Sequence, residues 1–128
     1  MDFKSILKFK GGIFLKDCLF CKIAAGEMDT DFVYEDEKVV VFEDINPQAP
    51  VHLLIVPKRH ISDLNSLKPE DGDLIGHVYQ IAKKMAAKFK IAESGYRLVS
   101  NCGDNGGQTV YHIHFHLLGG RELQWPPG

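Results

Sequence analysis

The sequence predicts a single α+β domain built on an antiparallel sheet of about five strands. One long segment has the apolar spacing of an amphipathic helix, and short segments before and after it alternate as strands do. With one long and one short helix, the chain has too little helix for repeated strand–helix–strand units. At 128 residues, 45% of them hydrophobic, it is long enough for one domain with its own core.

Residues 1–16 precede this domain, which we place at residues 17–128. The segment is basic. Its residues Phe3, Ile6, Leu7 and Lys10 follow one another at the spacing of one face of a helix. It lacks the apolar core and cleavage site of a secretory signal. We interpret it as an N-terminal extension, with docking to a membrane surface or a partner as the alternative.

The balance of charge and apolar residues argues against several classes of partner. With 15 basic and 17 acidic residues, the formal charge is −2, which gives no electrostatic footprint for DNA or RNA. No apolar run approaches the roughly 18–20 residues that span a bilayer. Three cysteines do not make a secreted disulfide framework. We therefore expect a cytoplasmic protein with no membrane or nucleic-acid partner, whose site could still attract a small anion.

The sequence of the first half of the domain predicts one short helix and three strands. Asp17 is a candidate N-cap for a helix that begins near Cys18, and Gly26 is a candidate stop. Alternation and β-branched residues predict strands at Phe32–Glu35, Lys38–Glu43 and Val51–Pro57.

The second half contains the long helix and two further strands. Pro69 suits the first turn of the helix, and apolar residues then follow the i, i+3, i+4 rule as far as Phe89. Tyr96–Asn101 alternates as the fourth strand. The loop Cys102–Gln108 contains three glycines, which allow backbone N–H groups to approach a ligand closely.

The fifth strand carries the chemistry. His112, His114 and His116 alternate with apolar residues, so an extended strand would place three imidazoles on one face and seat the other face on a core. Three interpretations follow from the residues alone: a polar face without further use, a metal site, or nucleophilic attack by one neutral imidazole on a phosphorus centre.

The segment from Gly106 to Arg121 closely resembles the signature of the histidine triad (HIT) superfamily, in its Hint branch. Further matches are Asp44–His52, Val56–Ile61 and the ending Trp125–Gly128. The resemblance runs from about Asp17 to the C-terminus. It implies the HIT fold, with the sheet extended across a homodimer, and hydrolysis of a purine nucleotide derivative, specifically the P–N bond of a nucleoside 5′-phosphoramidate.

The resemblance also implies roles for individual residues. His114 would be the nucleophile that forms a nucleotidyl-histidine intermediate, His116 and His52 would contact the phosphate, and Thr109 would deliver a proton to the leaving amine. Asp44 would bind the ribose hydroxyls, and Gln108 and Asn101 the phosphate side. Trp125 would be the terminal tryptophan that crosses toward the partner subunit. The apolar side chains that would surround the purine base are Phe20, Ile23, Phe42, Ile45 and Leu53.

The pair Cys18-x-x-Cys21 resembles half of a structural zinc site found in some bacterial members of the superfamily. There it is completed by a histidine like His60 and by the first histidine of the triad, here His112. Two thiolates and two imidazoles suit tetrahedral Zn²⁺, and a redox-active pair is the competing interpretation. No catalytic cofactor is expected.

Three alternative functions stay open at this point. The first is hydrolysis of dinucleoside polyphosphates, a related reaction within the superfamily. The second is a nucleotide-binding regulatory module with incidental activity. The third is a metal-dependent hydrolase that uses the triad as metal ligands.

Overall fold

The chain forms a five-stranded antiparallel sheet, which confirms the predicted fold class. In this computed structural model, residues 6–9, 12–15 and 17–128 are described. The helices and strands are β1 (Ile6–Phe9), β2 (Gly12–Leu15), α1 (Leu19–Ala24), β3 (Tyr34–Glu35), β4 (Val39–Glu43), β5 (Val51–Pro57), α2 (Gly72–Lys88), β6 (Tyr96–Val99) and β7 (Phe115–Gly119). The order within the main sheet is β3-β4-β5-β7-β6.

The N-terminal segment contains strands where its spacing suggests a helix. β1 and β2 pair antiparallel, with Ile6 opposite Leu15 and Phe9 opposite Gly12. Periodicity over so few residues does not separate the two structures, and an isolated helix of this length is marginal in water. The division of the chain at residue 16 stays a prediction.

The long helix α2 covers one face of the sheet. Its stripe of Val78, Ile81, Ala82 and Met85 is buried. The sheet residues that share this core come from three strands and include Val39, Val41, Leu53, Ile55 and Leu117. Among the described residues, no helix is both long enough and apolar enough to cross a membrane.

The short helix α1 packs on the opposite face. Its buried side chains Phe20, Ile23 and Ala24 form a second cluster with side chains of β4 and β5, namely Val40, Phe42, Leu54 and Val56. The N-cap is Cys18 rather than the predicted Asp17, because the Cys18 thiolate sulfur accepts the Cys21 N–H at 3.3 Å. The sulfur of Cys18 is thereby directed toward the first turn of α1.

The histidine strand begins later than its alternation predicts. β7 starts at Phe115, and only His116 of the triad lies in it. The Ile113 N–H donates to the Ile61 carbonyl at 2.6 Å, outside the sheet ladder. Alternation still decides the faces, since Ile113 joins Phe115 in the core beneath α2.

The other boundaries differ by a few residues. The strand predicted at Tyr96–Asn101 ends at Val99, and a 3₁₀ turn, Pro69–Asp71, precedes α2. The buried Asp71 carboxylate holds this turn, because it accepts the Lys68 N–H at 2.9 Å and forms an ion pair with Arg59.

A carboxylate ties the β3–β4 turn to α2. Asp36 accepts hydrogen bonds from the Lys38 and Val39 N–H groups at 2.7 and 2.8 Å, from Tyr34 Oη at 2.9 Å and from His77 Nε2 at 2.6 Å. Burial raises the pKa of Asp36, but these four donors outweigh it and lower the pKa to about 2.

We expect Asp36→Asn to lower the free energy of unfolding at pH 7 by about 2 kcal/mol, the equivalent of that pKa shift. Because the folded-state pKa is depressed, the stabilisation is present above pH 4 and is lost as the pH falls toward about 2. Urea unfolding at pH 7 and through the acid range measures both effects. The matched control is the exposed Asp31→Asn; an equal loss in both variants would contradict the assignment.

A candidate active site beside a cysteine–histidine cluster

The imidazole of His114 lies directly before β7, against Phe20 of α1. Residue His114 is 94% buried, and the two rings are T-shaped, with centroids 4.9 Å apart and planes at 88°. His114 Nδ1–H donates to the His112 carbonyl at 2.7 Å, so the proton of the neutral ring is on Nδ1 and the lone pair is on Nε2. Burial lowers the pKa of His114, although the hydrogen bond to His112 opposes the shift. Burial thus favours the neutral ring, and a neutral imidazole with its lone pair on Nε2 is what nucleophilic attack requires.

His116 and His52 extend from the same face. His116 is directly opposite Leu54 in the β5–β7 register, and its ring centroid is 5.1 Å from that of His114. His52 Nε2 and His116 Nδ1 are 2.9 Å apart. The remaining nitrogen, His116 Nε2, is buried and has no hydrogen-bond partner among the residues that the structure describes.

A carboxylate lies beside this pair. Asp44 Oδ2 is 3.4 Å from His52 Nε2 and 4.0 Å from His116 Nδ1. Burial, and after it the neighbouring imidazoles of His114 and His52, lower the pKa of His116 to about 4, while Asp44 opposes the shift. Burial also lowers the pKa of His52. By spacing alone, these three side chains could hold a metal ion.

Two thiols and two imidazoles meet at the N-terminus of α1. The Nδ1 atom of His112 is 3.3 Å from Cys18 Sγ, 3.5 Å from Cys21 Sγ and 3.2 Å from His60 Nδ1, and the distance from Cys21 Sγ to His60 Nδ1 is 3.4 Å. All four atoms lie within 4.8 Å of one another. The sequence spacing therefore identified a group that the fold does bring together.

The donor set fits a tetrahedral metal. Bond lengths of about 2.3 Å to sulfur and 2.0–2.1 Å to nitrogen imply ligand-to-ligand edges of roughly 3.3–3.8 Å around zinc. The four distances above lie at or just below that range. His112 Nε2–H donates to the Pro57 carbonyl at 2.7 Å, which leaves the Nδ1 lone pair directed at the cluster. The neighbouring thiol and imidazoles also lower the pKa of Cys18, which favours the thiolate that a metal needs.

His112 connects the two groups of side chains. Its ring belongs to the cysteine–histidine cluster, and its carbonyl accepts the His114 Nδ1–H. Phe20, between the two cysteines in sequence, contacts the rings of both His112 and His114. The cluster can thus orient the central imidazole through one peptide unit.

The structure places Gln108 away from its expected role. Its Oε1 accepts the Gly103 N–H at 2.9 Å, and its Nε2 donates to the carbonyls of Ser62 and Val110 at 2.8 and 3.1 Å. The amide is buried and closes the glycine-rich loop instead of facing a ligand. Gly106 is needed there, because a Cβ on it would lie 2.4 Å from the Cys102 carbonyl oxygen.

The expected apolar walls divide between the two faces. Phe20, Ile23 and Phe42 lie on the histidine face. Leu53 does not, because it is 1% exposed in the core beneath α2, and Leu54 takes its place beside Phe42. The two-residue period counted from His52 identifies Leu54, a signal that was available in the sequence.

The other expected contacts lie in loops or at the chain end. Thr109 is exposed next to the glycine-rich loop, and Asn101 is half-buried where β6 gives way to that loop. Ile45 is fully exposed after β4, and Trp125 is 80% exposed. Within the single chain, neither of these two apolar residues covers the histidines.

The chain belongs to the HIT family. The family model described as "HIT domain" matches residues 25–123, which include all of the sheet and the histidine segment. The similar proteins below agree with this assignment.

An uncharacterized HIT-like protein of Synechococcus elongatus is 50% identical over 113 residues, which cover 88% of this chain and 98% of that protein. Among solved structures, a HIT family hydrolase of Legionella pneumophila is 53% identical, with a TM-score of 0.86 and coverage of 88% of this chain and 100% of that one. A histidine triad nucleotide-binding protein of Candida albicans is 33% identical, with a TM-score of 0.74 and coverage of 86% and 83%. The chain and its fold thus match a family in which the solved structures include one called a hydrolase and one called a nucleotide-binding protein.

Proposed function

We propose that the protein hydrolyses nucleoside 5′-phosphoramidates, such as conjugates of AMP with an amine or with lysine, and releases a nucleoside monophosphate. The observation that carries this proposal is the hydrogen bond from His114 Nδ1–H to the His112 carbonyl. It leaves the Nε2 lone pair of a buried, neutral imidazole free to attack phosphorus, and a nucleotidyl-imidazole is labile enough to turn over.

The reaction is two displacements at phosphorus. In the first, His114 Nε2 bonds to the α-phosphorus while the substrate P–N bond breaks and the amine leaves with the electron pair and a proton. In the second, water bonds to the α-phosphorus while the bond from phosphorus to His114 Nε2 breaks, and His114 leaves with the electron pair as a neutral ring. The proton that the water releases replaces the one delivered to the amine. We assign proton delivery to the Thr109 hydroxyl and contact with the phosphate oxygens to His116 and His52. The buried, unpartnered Nε2 of His116 supports that assignment.

The nucleoside would lie against the apolar cluster next to the triad. Phe20, Ile23 and Phe42 are already packed there, and we add Leu54 in place of Leu53. Asp44 would accept hydrogen bonds from the ribose hydroxyls, and Asn101 would contact the phosphate side. Ile45, exposed in the free chain, would close over the base.

We propose that the cysteine–histidine cluster holds structural zinc. Cys18, Cys21, His60 and His112 would be the ligands, and the metal would supply charge neutralisation and a fixed cross-link between α1 and the histidine segment. The chemistry is left to the protein's own side chains. Reduced thiols at this position suit a reducing compartment such as the cytoplasm.

We further propose a homodimer in which the sheet continues through β6. This strand is at the end of the strand order, and its Tyr96 is exposed. The exposed Trp125 would then reach the site of the partner subunit.

A substrate profile tests the proposed function. The purified protein is given adenosine and guanosine 5′-phosphoramidates, an AMP–lysine conjugate and a dinucleoside polyphosphate, and release of the monophosphate is followed. We expect kcat/KM for the phosphoramidates to exceed that for the dinucleotide by at least about tenfold, a difference of about 1.4 kcal/mol in transition-state stabilisation. The reverse order would favour the dinucleoside polyphosphate hydrolase, and tight AMP binding without turnover would favour the regulatory module.

A further inference from the structure

The backbone N–H of Gln48 determines which nitrogen of His52 carries a proton. This N–H donates to His52 Nδ1 at 3.0 Å. Only a nitrogen with a lone pair can accept it, so the proton of the neutral His52 ring is on Nε2. A doubly protonated ring would place two N–H groups against each other at this contact.

The tautomer of His52 in turn determines the tautomer of His116. His52 Nε2 is 2.9 Å from His116 Nδ1, and since His52 Nε2 carries the proton, it donates and His116 Nδ1 accepts. The proton of the neutral His116 ring is then on Nε2. That atom is buried without a partner, on the sheet face that holds His114.

Arg121 holds the backbone of Gln48 on the other side of its Cα from the N–H that begins this sequence of hydrogen bonds. Its Nε and one terminal nitrogen donate to the Gln48 carbonyl at 3.1 and 3.0 Å, across 73 residues of chain. The preceding Gly120, with φ +90°, packs against Pro50, where a Cβ would lie 2.9 Å from the proline Cβ. The end of β7 thereby fixes the loop between β4 and β5.

We propose that Gln48 and Arg121 are positioning residues. The Arg121 guanidinium holds the Gln48 carbonyl and so restrains the backbone of that residue, and the Gln48 N–H fixes the tautomers of His52 and His116 so that His116 presents its Nε2–H to an anionic oxygen beside His114. The consequence for catalysis rests on the proposed function, whereas the tautomers themselves do not.

This arrangement competes with a metal site at Asp44, His52 and His116. The three side chains are close enough to hold an ion. A metal would need the lone pair of His52 Nε2, which is the atom to which the Gln48 amide assigns the proton. The geometry therefore favours a chain of donors over a set of ligands at this position.

The experiment reads the tautomers directly, by ¹⁵N chemical shifts of the histidine rings in the full-length protein. In the wild type we expect His52 and His116 to carry the proton on Nε2. Gln48→Pro removes the donor N–H. Gln48→Ala is the matched control because it keeps that N–H and loses the exposed side chain, whose Nε2 donates to the Asn46 carbonyl at 3.1 Å; the proline variant loses this bond too. We expect Gln48→Pro to move His52 to a mixture of tautomers and Gln48→Ala to keep the wild-type pattern.

A kinetic split accompanies the tautomer change. With adenosine 5′-phosphoramidate as substrate, we expect kcat to fall by about 10²-fold in Gln48→Pro relative to Gln48→Ala, within the range of a misplaced proton donor, with KM within about threefold. Arg121→Ala provides a second route if the proline variant misfolds, and Arg121→Lys, which cannot reproduce the two-nitrogen contact, should restore only part of the tautomer pattern.

Three results would overturn the proposal. They are a proton on Nδ1 of His52 or His116 in the wild type, tautomers that stay unchanged in both Gln48→Pro and Arg121→Ala, and an equal change in Gln48→Pro and Gln48→Ala. If the tautomers are as stated and no phosphoramidate is turned over, the proposed function fails and the positioning role stands.

Discussion

His114→Ala is expected to reduce turnover of a nucleoside phosphoramidate by about 10⁴-fold or more, the scale seen when a nucleophile is removed. The reason is geometric, because His114 is the ring whose Nδ1 proton is held by the His112 carbonyl while its Nε2 is free. The methyl group of alanine cannot form the covalent bond to phosphorus. Residual activity would come from binding and from the donors around phosphorus.

The measurement separates chemistry from binding. Single-turnover kinetics should give a nucleotidyl-protein species with wild type and none with His114→Ala, while AMP should still bind both. His77→Ala is the matched control. His77 lies on α2, on the side of the sheet away from the triad, and is hydrogen-bonded to Asp36 of the β3–β4 turn. A kcat within tenfold of wild type in His114→Ala would contradict the nucleophile assignment and favour either metal-activated water or a binding module.

Cys18→Ser is expected to remove one equivalent of zinc and to lower Tm by at least about 10 °C, because metal binding free energy at a structural site is folding free energy. Cys18 joins α1 to His112 across 94 residues of sequence, so its loss releases the two segments from each other. We expect kcat to fall as well, since the peptide unit of His112 then no longer fixes the His114 ring.

Elemental analysis and thermal unfolding measure this result. Cys102→Ser is the control, because Cys102 lies in the glycine-rich loop outside the cluster, and it should keep the full equivalent of zinc. Chelation distinguishes the remaining alternative: loss of activity at once, without loss of folded structure, would indicate a metal at the triad. Full zinc content and unchanged Tm in Cys18→Ser would contradict the structural role.

Local patterns were sufficient for much of the fold. β5 has the bounds that its alternation predicts, Val51–Pro57, because a run of β-branched and apolar residues between two loops has no competing period. The stripe on α2 is buried as its 3.6-residue period requires. In a segment as short as β1, the spacing of the residues did not separate a helix from a strand.

The cysteine–histidine cluster was predictable from the resemblance to the HIT superfamily. The CxxC pair by itself left a redox pair open, the resemblance added His60 and His112, and the fold brings the four residues together. The face of Leu53 was wrong although the alternation from His52 already placed it opposite the histidines. The side-chain contacts of Gln108 could not be read from the sequence, because one partner, Ser62, is distant along the chain.

The sequence by itself determined which side chains are available. It also determined which of them share a face, because strands and helices repeat every 2.0 and 3.6 residues along the chain. It therefore identified the imidazoles and the thiols as the reactive groups. Only the tertiary structure decided which ring nitrogen of each histidine meets which partner: Nδ1 of His112 meets the cysteines, Nδ1 of His114 the His112 carbonyl, and Nδ1 of His116 meets His52. Most of these contacts join segments that are distant in sequence, so they are fixed by packing.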